Sequence, residues 1–178
     1  AYAKTNSGNL NYGSTGIGTT AHLISFLFSQ KTSIEATHIP YKGAEATRDL
    51  VAGRLQFMFA TAPSVIPLIK AGQLNAIAVS SKKRITAMPD LPTLNELGVD
   101  IATGAWFGLF APGRMNPDLA KRLSDAARVA IQTPDVKRRI ESEGAIPAGN
   151  SPQEFSKFVE AEIVRWRAVV QYSGAKPE

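Results

Sequence analysis

The amino-acid sequence predicts an α/β fold in which helices cover a parallel sheet, followed by a helical tail. Strand and helix patterns alternate over residues 1–79, and this alternation is typical of parallel sheets. Residues 112–178 carry helix patterns only. The 178 residues are 44% hydrophobic and 20% charged, which is ordinary for a globular protein able to bury a sizeable core.

A glycine-rich loop lies near the start of the alternation. Residues 13–22 read Gly-Ser-Thr-Gly-Ile-Gly-Thr-Thr-Ala-His and contain three glycines and four hydroxyl side chains. An extended run over 9–12 precedes the loop, and an apolar pattern over 21–30 predicts a helix after it. The alternating residues 34–39 predict a second strand, which ends at the turn residues 40–43.

The next segments repeat the pattern of helix and strand. Residues 45–52 predict a helix, and the apolar residues 55–60 predict a strand buried on both faces. A hydroxyl-bearing turn at 61–64 leads into a short helix, and we expect Pro67 in the first turn of that helix, where proline is tolerated. The apolar run 74–79 predicts a further strand.

This order of strands and helices predicts where a ligand binds. Ligands of open parallel sheets bind beyond the carboxyl ends of the strands. We therefore expect the loops after Tyr12, Ile39 and Ala60 to lie on one rim of the sheet.

Three helices are predicted in the tail, and each has a clear start signal. Asn116 and Thr133 each precede a proline, while Ser151 and Glu154 have the spacing of a capping box. The apolar stripes of these helices must pack on something, yet the tail contains no strand pattern. We therefore expect the helices to pack on the first domain or on a segment that this sequence lacks.

Composition excludes several classes of function. The net charge of +5 favours anionic partners, but the short basic runs 82–84 and 137–139 lack interleaved aromatic residues and do not indicate nucleic-acid binding. The absence of cysteine excludes disulfides, thiolate nucleophiles and cysteine-ligated metals. No apolar run approaches the length that spans a bilayer.

The glycine-rich loop has the composition of a small-anion site. Glycine allows the backbone to approach a ligand closely, and the first N–H groups of a helix have no partner inside it. A turn capped by serine or threonine without any ligand explains the same residues. Gly13 and Gly18 have the spacing of a P-loop, but Thr19 stands where that motif requires lysine, so we reject a P-loop.

The same loop leaves an enzymatic alternative open. Gly16, Gly18 and Ala21 fit the dinucleotide fingerprint, and Glu35 follows at roughly the distance of a ribose contact. The preceding strand is expected to be short and polar, which is not typical of a dinucleotide-binding fold. An NAD- or nucleotide-binding enzyme remains the alternative function.

Few other residues suggest chemistry. His22 and His38 have no carboxylate at metal-ligand spacing, so we interpret both as hydrogen-bonded or partly exposed, with His22 close enough to reach the loop. Lys42 could meet a carboxylate or be an ordinary surface lysine. We interpret Trp106 and Phe107 as core or hinge packing. A Ser-His-Asp triad stays open, although no Gly-x-Ser-x-Gly motif supports one.

Five segments carry a family resemblance. They read NYGSTGIGTTAHL at 11–23, HIPYKG at 38–43, MFATAPS at 58–64, MPDLPT at 88–93 and AWFGLFAP at 105–112. In order and spacing they closely resemble the receptors of tripartite tricarboxylate transporters, the Bug family. The resemblance implies a type II periplasmic-binding-protein-like fold of two α/β domains that close on a small carboxylate.

The resemblance also implies a role and a division of the chain. It implies a periplasmic receptor, made with a signal peptide, that is not an enzyme and needs no cofactor or metal. Its partners would be a di- or tricarboxylate and the membrane components of the transporter; it would neither span the membrane nor bind nucleic acid. Residues 1–107 would form the second, ligand-binding domain, and residues 108–178 the helical end of a first domain whose N-terminal part this sequence lacks.

Family members hold the ligand largely through backbone N–H groups, hydroxyls and ordered waters. Carried over by position, the ligand-binding residues would be Ser14, Gly16, Gly18, Thr19, Thr20, Lys42, Ala60, Thr61 and Ser64. Many relatives have acidic residues where this chain has Ala60 and Gln56. The absence of a carboxylate at Ala60 favours a dicarboxylate over an amino acid.

Overall fold

The computed structural model describes residues 2–176 and contains a parallel sheet, as the alternation predicts. Its strands are β1 (Leu10–Ser14), β2 (Ala36–Pro40) and β3 (Phe57–Met58), in the order β2-β1-β3. Both pairings are parallel, with Ser14 opposite Pro40 and Gly13 opposite Met58. The central strand β1 therefore carries the glycine-rich loop at its carboxyl end.

Helices account for most of the remaining regular structure. They are α1 (Tyr2–Thr5), α2 (Thr20–Thr32), α3 (Glu45–Val51), α4 (Ala62–Lys70), α5 (Pro117–Gln132), α6 (Pro134–Ser142) and α7 (Pro152–Tyr172). The pattern predicts every one except α1, a single turn. Within residues 2–176, no helix combines the length and the apolar composition that crossing a membrane requires.

Strand β1 is buried, and Gly13 allows its neighbours to pack closely on it. A Cβ at Gly13 would lie 2.5 Å from Leu55 Cδ1 and 3.6 Å from the Ala46 Cβ of α3. On the same strand Leu10 and Tyr12 are buried hydrophobic residues. The missing side chain at Gly13 therefore sets how closely α3 approaches the sheet.

The third and fourth predicted strands are only partly right. The segment 55–60 forms strand only at Phe57–Met58, whose side chains are half-buried instead of buried on both faces. The segment 74–79 forms no ladder. Its last residue, Val79, makes an isolated bridge to Thr93, because its N–H donates to Pro92 O and its carbonyl accepts from Leu94 N. A loop thus supplies the backbone partners of Val79.

The expected position of Pro67 is wrong. Thr61 caps α4, so Pro67 is the sixth residue of the helix and lies in its interior. A proline there removes one backbone hydrogen bond of the helix, to the carbonyl four residues earlier. That carbonyl belongs to Pro63, in the first turn of α4.

A small core joins α2 to the last helix. Ile24 of α2, Leu94 and Ile101 are buried together, and Trp166 of α7 packs against them. Polar contacts strengthen the same junction: Arg165 Nη2 donates to Ala102 O at 2.6 Å. Helix α7 therefore packs against the α/β part of the chain.

The predicted helix starts in the tail are confirmed. Asn116 Oδ1 accepts from the N–H groups of Asp118 and Leu119, and Ser151 and Glu154 form a complete capping box. The apolar stripes of these helices are only partly covered, because Leu119 and Ile163 are exposed. Trp106 and Phe107 are interpreted as core or hinge packing; Phe107 is 85% exposed and lies outside the core of this chain, so its place in a hinge stays a prediction.

We expect Ser151→Ala to lower the free energy of unfolding by about 1 kcal/mol, because a helix N-cap hydroxyl satisfies an otherwise unpaired N–H group. Ser151 Oγ accepts from Glu154 N at 3.3 Å, and Ser151 N donates to Glu154 Oε2 at 2.8 Å. Urea unfolding followed by circular dichroism measures the change. Ser156→Ala, an exposed change inside α7, is the control; an equal effect of both variants would contradict a special role for the cap.

Candidate functional site

The carboxyl ends of the three strands converge on one edge of the sheet. Because β1 pairs in parallel with β2 and with β3, the loops that follow these strands begin side by side. Tyr41 N donates to Ser14 O at 3.0 Å, which joins the first two loops directly. The expectation that three loops share one rim is confirmed.

Ser14 anchors the glycine-rich loop from below. The residue is fully buried, and its hydroxyl donates to Gly16 O at 2.9 Å and accepts from Gly16 N at 3.2 Å. Gly16 has φ +137°, a conformation that residues with a Cβ rarely adopt. The buried hydroxyl and the unusual backbone together fold the loop over the end of β1.

Thr19 starts α2 and leaves several N–H groups available. Its hydroxyl donates to Gly16 O at 2.7 Å, and its extended backbone makes it the N-cap. Within the described chain, the N–H groups of Ile17, Thr20 and Ala21 have no hydrogen-bond partner. Unpaired N–H groups at a helix start carry partial positive charge and bind anions.

Two stacked histidines lie behind this loop. The rings of His22 and His38 are 3.9 Å apart between centroids and inclined by 9°. His22 Nδ1 accepts from Gly18 N at 3.1 Å, and His38 Nε2 lies 2.7 Å from Ser14 Oγ. The prediction that both histidines are hydrogen-bonded and that His22 reaches the loop is confirmed.

The role of His38 was not visible in the sequence. It lies 24 residues from Ser14 along the chain, and the pairing of β1 with β2 brings the two together. The contact could have been found only from the register of the two parallel strands, which sets His38 opposite Tyr12. Tyr12 stacks on His38 with ring centroids 5.0 Å apart.

The loop after β2 carries an exposed cation and a small polar cluster. Lys42 is exposed at this rim. Beside it the Tyr41 hydroxyl donates to Asp49 Oδ2 at 2.8 Å, and Arg54 Nη1 lies 2.6 Å from Asp49 Oδ1. The hydrogen bonds from Tyr41 and Arg54 lower the pKa of Asp49, and the bond to Asp49 raises the pKa of Tyr41. This cluster ties the loop to α3.

The loop after β3 presents a hydroxyl turn. Ser64 Oγ donates to Thr61 O at 2.7 Å, and Thr61 Oγ1 donates to Ser64 Oγ at 3.2 Å. Ala60 is half-buried just before this turn. Both hydroxyls are exposed to solvent at the start of α4.

These loops face a large cleft of about 2830 Å³. Of the nine residues carried over by resemblance, those that line the cleft are Thr19, Thr20, Ala60, Thr61 and Ser64. The others lie beside it: Ser14 is buried below the loop, and Lys42 is exposed on the rim. The segment 104–112 and residues of α5 also line this cleft.

The geometry argues against the dinucleotide alternative. The strand before the loop is five residues long and buried, contrary to the short polar strand expected. Glu35, however, precedes β2 and therefore lies at the amino edge of the sheet, where Gly8 N donates to its carbonyl oxygen. The length of a five-residue strand, about 17 Å, separates the two edges. Glu35 cannot contact a ribose whose phosphates rest on the glycine loop.

Solved structures of similar proteins share this fold. An R. palustris protein with adipate is 35% identical, with a TM-score of 0.93 over 99% of this chain and 60% of that one. Periplasmic binding protein BugD is 26% identical, with a TM-score of 0.88 over 99% and 60%. MatC from Rhodopseudomonas palustris with bound malate is 28% identical, with a TM-score of 0.85 over 95% and 59%. The periplasmic-binding-protein-like fold is therefore confirmed.

Sequence comparison gives the same assignment. BugT of Bordetella pertussis is 33% identical over 178 residues, which are 99% of this chain and 55% of BugT. The chain spans about half the length of most curated relatives that it matches. The family model described as "Tripartite tricarboxylate transporter family receptor" matches residues 1–175. This chain is a member of the tripartite tricarboxylate transporter receptor family.

Proposed function

We propose that this chain belongs to a periplasmic receptor that captures a small di- or tricarboxylate and delivers it to the membrane components of a tripartite tricarboxylate transporter. The observation that carries the proposal is the set of unpaired N–H groups at Ile17, Thr20 and Ala21, above a buried Ser14. They offer an anion several donors in one place. The receptor binds and releases its ligand unchanged and is not an enzyme.

The residues around these donors favour a dicarboxylate. Thr20, Thr61 and Ser64 add hydroxyls on the cleft wall, which Thr19 also lines while its own hydroxyl donates to Gly16 O. Lys42 adds a positive charge at the rim. No carboxylate stands at Ala60 to pair with the amine of an amino acid. Adipate and malate, which are bound in two of the similar solved structures, are ligands of this chemical class.

We also propose that residues 1–107 form the second, ligand-binding domain and that residues 108–178 belong to the first domain. The exposed Phe107 and the exposed stripe residues Leu119 and Ile163 support this division. Apolar side chains of this size are stabilised when another element covers them. The first domain would then supply the opposite wall of the carboxylate site.

Calorimetric titration of the full-length gene product with adipate, malate, citrate, aspartate and NAD tests the function. We expect heat of binding with at least one di- or tricarboxylate and none with NAD. The fluorescence of Trp106 and Trp166 provides a second readout of the same titrations. Binding of NAD without any carboxylate would overturn the proposal, and binding of aspartate alone would overturn the preference for dicarboxylates.

A further inference from the structure

We propose that His22 and His38 are positioning residues for the carboxylate site: as a neutral stacked pair they hold the glycine-rich loop in its binding form, and protonation of the pair releases the loop. This inference rests on the proposed function. It adds two residues that are not among the nine ligand-binding residues carried over by resemblance. Neither imidazole needs to touch the ligand. Each acts through a residue of the loop.

His22 holds the loop by accepting a hydrogen bond. Gly18 N donates to His22 Nδ1 at 3.1 Å, so that ring nitrogen carries no proton. Gly18 itself has φ +75°, and its N–H points back toward the helix instead of toward the cleft. A proton on Nδ1 would turn the acceptor into a donor facing another donor. The loop would then lose its hydrogen bond to the first turn of α2.

His38 holds the loop through Ser14. Its Nε2 lies 2.7 Å from Ser14 Oγ, and the same hydroxyl bonds both the carbonyl and the N–H of Gly16. Removing His38 therefore leaves the fully buried Ser14 hydroxyl with one partner fewer. Two hydrogen-bonded contacts therefore fix the segment that exposes the unpaired N–H group of Ile17. One runs from His38 through Ser14 to Gly16, and the other joins Gly18 to His22.

The surroundings of the pair favour the uncharged state of both rings. His22 is 4% exposed, its ring lies 3.9 Å from that of His38, and two positive charges at that separation would repel strongly. From β1 the phenol of Tyr12 stacks on both rings, and from β3 Phe57 stacks on Tyr12. Among the described residues, no carboxylate forms an ion pair with either histidine.

The sign of the pH effect follows from this environment. Burial lowers the pKa of His22, and burial together with the neighbouring His22 lowers the pKa of His38 from 6.5 to about 4. A loop that opens returns the imidazoles toward their ordinary pKa and so takes up protons. Acidification therefore favours the open loop, with the effect of His38 beginning near pH 6.5 and complete near pH 4.

The test compares non-titrating variants at two pH values. We expect His22→Leu to weaken adipate or malate binding by about tenfold at pH 7.5, because the Gly18 hydrogen bond is lost. His22→Gln offers an amide oxygen to the same N–H and should stay within about threefold of the wild type. Between pH 7.5 and 5.0 the wild type should lose more affinity than the His22→Gln/His38→Gln double variant.

A readout without ligand separates this inference from the proposed function. Nuclear magnetic resonance of ¹⁵N-labelled wild-type protein follows both imidazoles and the Gly18 amide during acid titration. We expect depressed pKa values for both rings and a Gly18 amide shift that moves with protonation of His22. Ordinary pKa values with an unchanged Gly18 signal, or identical pH profiles of wild type and double variant, would overturn the positioning role.

Failure of the proposed function would look different. The wild type could bind no carboxylate at pH 7.5 while the chemical shift of the Gly18 amide still changes with protonation of His22. In that case the histidine pair holds the loop, but the loop is not a carboxylate site. That result would overturn the inference as a statement about binding. His38→Gln, whose amide can still meet Ser14 Oγ, keeps the titration interpretable if His22→Leu fails to fold.

Discussion

Gly16→Val is expected to weaken carboxylate binding by about 10- to 100-fold, the largest loss of affinity that a single change in the loop should produce. Gly16 has φ +137°, where a β-branched residue is strongly disfavoured. A Cβ there would meet only Thr19 Cγ2 at 3.6 Å and Tyr41 O at 4.0 Å, so space is available. The loss would therefore arise from backbone strain, which shifts the loop and its N–H groups.

Calorimetry with adipate and malate on the full-length gene product measures this effect. Gly113→Val is the matched control, because that glycine has no positive φ and nothing lies within 4 Å of its added Cβ. Urea unfolding of both variants separates a local change from general destabilisation. Affinity of Gly16→Val within twofold of the wild type would contradict a binding role for this loop.

Gly144→Val is expected to lower the free energy of unfolding by about 2–4 kcal/mol, the largest loss of stability among these variants. Gly144 follows α6 with φ +78°, which disfavours any L side chain. Its Cβ would lie 2.7 Å from Ala62 Cβ and 3.0 Å from Ile66 Cδ1 of α4. Backbone strain and overpacking therefore add at one position, where the helical tail meets the α/β part.

Gly174→Val separates the two contributions. It follows α7 with φ +70°, but nothing lies within 4 Å of an added Cβ. Only the backbone penalty of about 1–2 kcal/mol remains. Urea denaturation of both variants measures the difference. Equal losses at Gly144 and Gly174 would show that the turn after α6 does not pack on α4 in solution.

Local signals in the sequence were sufficient to predict most helices. The N-cap of Asn116 and the capping box of Ser151 act over three residues, so their structural meaning can be read without knowledge of the rest of the fold. The same holds for the helix that follows Thr19. Pro67 is the exception: the predicted turn at 61–64 is itself the N-cap and first turn of α4, so Pro67 lies in the interior of the helix.

Features that depend on partners distant in the chain could not be predicted in the same way. The apolar run 74–79 has the composition of a strand, but a strand also needs a neighbour, and Val79 pairs with the loop around Thr93. Likewise Ser14 and His38 meet only because β1 and β2 pair in one register. The glycine-rich loop and its contact with His22 were recognisable from the sequence, whereas the contact of His38 with Ser14 required the sheet.

The unpaired N–H groups at the start of α2 have a consequence for how a receptor of the proposed kind can diversify. They belong to the backbone, so replacing the side chains of Thr20 or Ala21 leaves the donors in place. Alanine scanning would consequently miss the part of the proposed site that would bind the anion. Over evolutionary time the surrounding wall could change residue by residue, and ligand preference with it, while the capture of a negative charge persisted unaltered.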